Sequence, residues 1–184
     1  MGIKYFSYSE RRKKNFLLLA VILGITVIVT GIAYIFWPMI TTDLTQKPLD
    51  PALAQVHFNQ GNAYLLNRQF KQAISYYIKT TEINPAFAPG FNNLAWLFAT
   101  CPDGKYRDGN KAIENATRAC ELSQWANPDC LGTLAAAYAE AGEFERAIKW
   151  QTTAIEFATP DYDIVAAHSR LEFYIAGKPY REER

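Results

Sequence analysis

The sequence predicts an all-α chain in which a single N-terminal transmembrane helix precedes a stack of helical hairpins. An uncharged apolar run from Phe16 to Trp37 predicts the membrane helix. Small and aromatic residues recur between residues 54 and 160 at intervals of about 34 residues, which predicts the hairpins. A last apolar segment, 161–176, predicts a helix that covers the open end of the stack.

The composition is that of a folded protein with no strong charge. Hydrophobic residues make up 49% and charged residues 20% of the 184 residues, which is too apolar for a disordered chain. The formal net charge is +1, whereas nucleic-acid binders usually carry a clear basic excess. Nucleic acid is therefore not expected as a partner.

The predicted membrane helix, 16–37, would be about 33 Å long, against about 30 Å for the hydrocarbon core of a bilayer. Four basic residues lie just before it, and the next charge after it is Asp43. Because the positive side stays in the cytoplasm, 1–15 is expected inside and the chain after Pro38 outside, which in a bacterium is the periplasm. A cleaved signal peptide is the alternative, although its apolar stretch is usually only about 7–15 residues.

Three small residues of this segment, Ala20, Gly24 and Gly31, fall on one helical face. Small residues let another membrane helix approach closely, so this face is a candidate for packing against a membrane partner. The alternative is that glycine is simply common in membrane helices.

A linker, 38–53, separates the anchor from the repeats, because it lacks a sustained apolar period. The first unit, 54–87, then places small and aromatic residues at regular offsets: Gly61, Tyr64, Phe70, Ala73, Tyr77 and Pro85. This pattern resembles the tetratricopeptide repeat, a helix–turn–helix unit of about 34 residues. The resemblance continues in two further units, 88–127 and 128–160, and implies a right-handed stack. The second and third units resemble a variant frequent in bacterial proteins.

The middle unit carries an insertion, the loop 101–110, which is expected to be a turn or, alternatively, a contact for a partner. The stack is expected to end in a capping helix, 161–176, followed by a solvated tail, 177–184. Buried thiols are expected at Cys101, Cys120 and Cys130, with a Cys120–Cys130 bridge as the alternative in an oxidising space.

Motifs for catalysis are lacking in the sequence. Neither His57 nor His168 has a second histidine or cysteine three or four residues away, as a typical metal site on a helix would need. There is no phosphate-binding glycine loop, nucleophile elbow or zinc-protease motif. An enzyme, a cofactor, a metal and a small-molecule substrate are therefore not expected.

The tetratricopeptide resemblance implies that the first helices of the units line a concave face that holds peptides or partner helices. Its inward positions form the predicted groove, which comprises Phe58, Asn62, Leu65, Leu66, Asn92, Asn93, Trp96, Thr100, Asp129 and Glu140. Some family members bind a terminal carboxylate through two asparagines and three basic residues. Asn62 and Asn93 match the asparagines, but the basic positions carry Phe58, Asp129 and Thr133. An amphipathic helix or apolar peptide is expected instead, unless the linker or the capping helix covers this face.

These inferences predict a membrane-anchored scaffold that binds a protein partner at the periplasmic face of a bacterial inner membrane. It would act as an assembly factor or a small accessory subunit of a membrane complex. The alternative is a chaperone-like factor for secreted or cofactor-bearing proteins, of the translocation or cytochrome c maturation type.

We expect Phe16–Trp37 to remain in the mature chain, because its apolar run is too long for an ordinary signal peptide. Intact-mass measurement and alkaline extraction of membranes test this. A freely soluble mature chain that lacks these residues would contradict the anchor.

Overall fold

The computed structural model describes residues 50–182. The predicted anchor, 16–37, with Ala20, Gly24 and Gly31, lies outside the described residues. Between residues 50 and 182, no helix is long and apolar enough to cross a membrane. The described part contains seven α-helices and no strand: α1 Pro51–Leu66, α2 Phe70–Ile83, α3 Ala88–Thr100, α4 Gly109–Leu122, α5 Pro128–Glu140, α6 Phe144–Glu156 and α7 Ile164–Ile175.

The helices pair as three hairpins in chain order, α1 with α2, α3 with α4 and α5 with α6. The first helices α3 and α5 also contact each other, and α7 packs on α6. The prediction of an all-α stack of hairpins is therefore confirmed for the described residues. The first helix begins at Pro51, so the last three residues of the predicted linker, 38–53, are helical.

Helix starts follow from side chains that accept hydrogen bonds from otherwise unpaired backbone N–H groups. Asp50 accepts from the Leu53 N–H at 2.9 Å, directly before Pro51 in the first turn of α1. Asn127 accepts from the second and third N–H groups after it, again with a proline in the first turn. Proline suits this position because its missing N–H would have no helical partner.

Small residues allow the paired helices to approach closely. A methyl group added at Gly61 of α1 would lie 2.6 Å from the ring of Tyr77 on α2. Ala73, Ala95 and Ala135 are fully buried at the corresponding contacts within the stack. These are the positions at which the repeat pattern requires a small side chain, and the close crossing explains why.

The insertion of the middle unit is an ordered turn. Eight residues, 101–108, separate α3 from α4, against three in each of the other two hairpins. Asp103 accepts from the Lys105 N–H and starts a 3₁₀ turn, Gly104–Tyr106. The ring of Tyr106 packs edge-on against Phe70 at 6.0 Å. The interpretation as a turn therefore fits, and this turn carries Arg107 towards the interior of the stack.

The three cysteines are buried and unpaired, so the prediction of buried thiols is confirmed. Burial raises the pKa of Cys120 to about 12. Because the thiolate is the reactive form, this thiol is chemically inert at neutral pH.

We expect Gly109→Ala to destabilise the domain by about 1–3 kcal/mol through overpacking. The added methyl carbon would lie 2.8 Å from the backbone nitrogen of Ala141, at the end of α5. Thermal unfolding of the full chain in detergent measures the effect.

The control is Asn110→Ala at the next position of α4, where the side chain is exposed. Its expected effect is within about 0.5 kcal/mol. Equal melting of the two variants would show that the α4–α5 contact tolerates the extra carbon.

Candidate functional site

The C-terminal tail folds back onto the stack instead of extending into solvent. Gly177 closes α7 with a positive φ of 66°, and the Lys178 N–H donates to the Phe173 carbonyl at 2.9 Å. Residues 179–182 are then half-buried. The prediction of a solvated tail is wrong for these residues, because specific partners on α3, α5 and α7 bind them. We call this binding surface the tail cleft; it comprises Trp96, Ala99, Thr100, Glu140, Arg170 and Phe173.

Helix α5 carries a run of small residues before Glu140. Gly132, Ala136 and Ala139 share one helical face, and both alanines are buried. A methyl group at Gly132 would lie 3.1 Å from the hydroxyl of Tyr162, which precedes α7. Arg170 of α7 lies 3.8 Å from the same added methyl group, and its guanidinium reaches Trp96 of α3.

Trp96 forms one wall of the cleft through three contacts. Its indole Nε1–H donates to the Glu182 carboxylate at 2.7 Å. Its ring lies 6.0 Å from the ring of Tyr180, which lies equally close to Phe173. The Arg170 guanidinium lies over the indole at 5.6 Å, a favourable cation–π arrangement. The indole therefore contacts both an aromatic and an acidic residue of the tail.

Glu140 lies at the end of α5 between two arginines. It accepts from Arg107 Nε at 3.2 Å and forms a close ion pair with Arg181 of the tail. Its side chain is only 14% exposed, so solvent screens these pairs less than those at the surface. Burial lowers the pKa of Arg181 and Glu140 opposes this shift; an arginine nevertheless stays charged at neutral pH.

Backbone groups complete the attachment of the tail. The Glu182 N–H donates to the Thr100 carbonyl at 3.1 Å, and the Arg181 guanidinium donates to the Ala99 carbonyl at 3.3 Å. Both carbonyls lie in the last turn of α3, where helical partners are lacking. The end of a first helix therefore supplies acceptors for a docked segment.

The two asparagines of the predicted groove bind each other. Asn62 Oδ1 accepts from the Tyr77 hydroxyl at 2.7 Å and from Asn93 Nδ2 at 3.0 Å. Burial raises the pKa of Tyr77, so its hydroxyl keeps the proton that it donates. This network links the first and second units. The acceptor oxygen of Asn62 is therefore already hydrogen-bonded within the protein.

The remaining groove residues make contacts of other kinds. Phe58 packs against Tyr77 and Phe87, at 5.9 and 5.3 Å between ring centroids. Leu65 packs partly buried against the core, whereas Leu66 is 85% exposed. The side chain of Asn92 is half-buried, and Asp129 is exposed in the first turn of α5.

Of the ten predicted residues, Trp96, Thr100 and Glu140 are the three that meet in the tail cleft. Sequence reasoning missed Arg107, Arg170, Phe173 and the tail itself. One signal was available, since Glu140 is an acidic residue at an inward position of α5, and such a residue needs a cation. Among residues 50–182, no group of three His, Cys, Asp or Glu side chains is placed to hold a metal ion.

Comparison with known proteins agrees with this architecture. Residues 54–87 match the family model described as tetratricopeptide repeat. The first TPR of Spaghetti (RPAP3), solved with the HSP90 peptide SRMEEVD, and the first TPR domain of human RPAP3 are similar in structure. Each has a TM-score of 0.59 and 20% identity over 70% of this chain and 94% of its own. The Arabidopsis OM64 TPR domain has a TM-score of 0.54 and 20% identity over 65% of this chain and 93% of its own.

No curated protein sequence matches the chain. The fold is a stack of helical hairpins, and tetratricopeptide repeats generally mediate contacts between proteins. Its first unit is a tetratricopeptide repeat.

We expect Glu140→Gln to destabilise the domain by about 1–2 kcal/mol, because two partly buried guanidinium groups lose their anion. The melting temperature of the full chain in detergent should fall by about 3–6 °C.

Glu121→Gln is the matched control, since Glu121 pairs with Arg118 at 3.2 Å on the surface with its side chain 50% exposed. That pair is worth less than about 1 kcal/mol. If both variants have the same melting temperature, Glu140 does not hold the arginines against the stack.

Proposed function

We propose that this chain is a membrane-anchored docking protein that binds a segment of a partner in the tail cleft. The partner belongs to a membrane or periplasmic complex at the outer face of a bacterial inner membrane. The chain acts there as an assembly factor or a small accessory subunit. The apolar run 16–37 with its basic flank supports the anchor and its orientation.

The observation that carries the docking function is the occupied cleft. A non-helical segment, 180–182, lies against the first helices through an indole hydrogen bond, an ion pair and a backbone hydrogen bond. Aromatic and arginine side chains dominate the energetics of protein interfaces, and Trp96, Arg170 and Phe173 surround the tail. A surface that holds one such segment has the chemistry to hold another.

The RPAP3 domain gives a parallel for the mode of binding. That domain was solved with a peptide of HSP90, and this chain shares its fold at 20% identity. We carry over the binding of a peptide segment, but not the peptide itself. Here Asn62 and Asn93 bind each other, and Glu140 would repel a carboxylate placed beside it.

A fixed subunit and an assembly factor differ in stoichiometry. A subunit should co-purify at a constant ratio in mild detergent, whereas an assembly factor or chaperone should be present only while its client is incomplete. Affinity purification of the full anchored chain from its own membranes, with quantitative mass spectrometry, separates the two.

We expect Trp96→Ala to weaken the capture of the partner by about thirtyfold in affinity, as for a tryptophan at the centre of an interface. Trp96 is half-buried, so its loss should leave the core intact. Affinity purification is repeated with this variant, and circular dichroism checks its fold.

Trp125→Ala is the matched control, because Trp125 stacks on Trp150 at 5.2 Å, in the α4–α5 turn. It should capture as much partner as the parent chain. Undiminished capture by a folded Trp96→Ala chain would exclude the tail cleft as the docking site.

A further inference from the structure

We infer that the tail imitates the partner. The tail cleft selects a segment that presents an aromatic, a basic and an acidic residue in succession, as Tyr180, Arg181 and Glu182 do, and the tail competes with that segment. This inference rests on the proposed function and names the chemistry of the partner. It follows from the three subsites that the tail occupies.

The aromatic subsite lies between α3 and α7. Trp96 and Phe173 both lie 6.0 Å from Tyr180, with Phe173 nearly perpendicular to it at 76°. Such edge-to-face pairs favour an aromatic ring over an aliphatic side chain. The exposed fraction of Phe173 is 42% even with Tyr180 in place, so the subsite is open to solvent and accessible to a competing segment.

The basic subsite is the Glu140 carboxylate. Arg107 occupies one side of it from within the stack and also donates to the Cys101 carbonyl at 2.7 Å. The other carboxylate oxygen faces the tail, where Arg181 meets it. A carboxylate 14% exposed discriminates strongly against an acidic residue at this point, because like charges there are poorly screened.

The acidic subsite is the indole N–H of Trp96. Trp96 Nε1 binds the Glu182 carboxylate, and Arg170 lies over the same indole ring. Indole is a donor only, so it requires an acceptor at this position. The Thr100 carbonyl fixes the backbone of the same residue, which sets the register of all three side chains.

A partner segment can displace the tail from the cleft. Three consecutive residues make these contacts, and the Arg181 side chain remains 32% exposed. A short tethered segment competes at an effective concentration in the millimolar range, which a partner with further contacts can overcome. The hinge is the turn at Gly177, whose positive φ ends α7 directly before the tail.

The test uses a fluorescein-labelled peptide with the tail sequence GKPYREER and the full chain in detergent. Arg181→Glu in the protein places a second carboxylate beside Glu140 and should release the tail. We expect the peptide to bind this variant about tenfold more tightly than the parent chain, as measured by fluorescence anisotropy. Lys178→Glu reverses the same charge at an exposed position of the same tail and should behave like the parent.

A chain that ends at Gly177 is the second released form, and it carries no new charge in the cleft. It should bind the peptide as tightly as the Arg181→Glu chain does. A peptide in which glutamate replaces the arginine that corresponds to Arg181 should not bind either released chain. Circular dichroism verifies that both variants fold.

Two results would overturn the inference. One is that neither released chain binds the peptide more tightly than the parent. The other is that the parent is a dimer by light scattering and becomes a monomer when the tail is removed, which would make a second copy of this chain the occupant. The released chains could also capture the partner through Trp96 while the tail peptide fails to compete with the partner. That result would contradict the resemblance between tail and partner but would leave the docking function intact.

Discussion

The close approach of helices at glycine and alanine positions is the constraint on which the rest of the structure depends. Gly61 touches the Tyr77 ring, and Ala73, Ala95 and Ala135 are fully buried. Large side chains at these positions would separate the helices and open the network between Asn62, Tyr77 and Asn93. Because protein interiors are close-packed, this spacing is fixed within fractions of an ångström. Small residues recur in the sequence because each hairpin requires this close approach.

Small residues also lie close to the residues of the tail cleft. On α5, Gly132, Ala136 and Ala139 share one helical face, both alanines are buried, and the missing side chain of Gly132 leaves room for Tyr162 and Arg170. Glu140 follows directly at the end of α5, where its carboxylate joins the inserted turn through Arg107 and the tail through Arg181. The insertion in the middle unit and the C-terminal tail are separate in sequence, yet they meet at one carboxylate.

The sequence predicted the hairpins well and the site only in part, for a physical reason. Repeat register is a local property, because each small or aromatic residue contacts the adjacent helix at a fixed offset. Several tail contacts instead join residues more than 80 positions apart, such as Trp96 and Glu182. No periodicity reports such a pairing, so a polar segment with Arg181 and Glu182 was expected in solvent. Glu140 could have indicated it, as a carboxylate at an inward position.

Tethering governs the competition between the tail and a partner. The tail is held near the cleft by the turn at Gly177, so its local concentration is high even though few contacts bind it. A freely diffusing peptide with the same three contacts would lose to it. A partner confined to the same membrane surface has a raised local concentration too and can add contacts beyond the cleft. The tail would therefore reject weak soluble ligands and yield to a membrane-bound partner, which gives a physical reason for combining the predicted anchor, 16–37, with an occupied cleft.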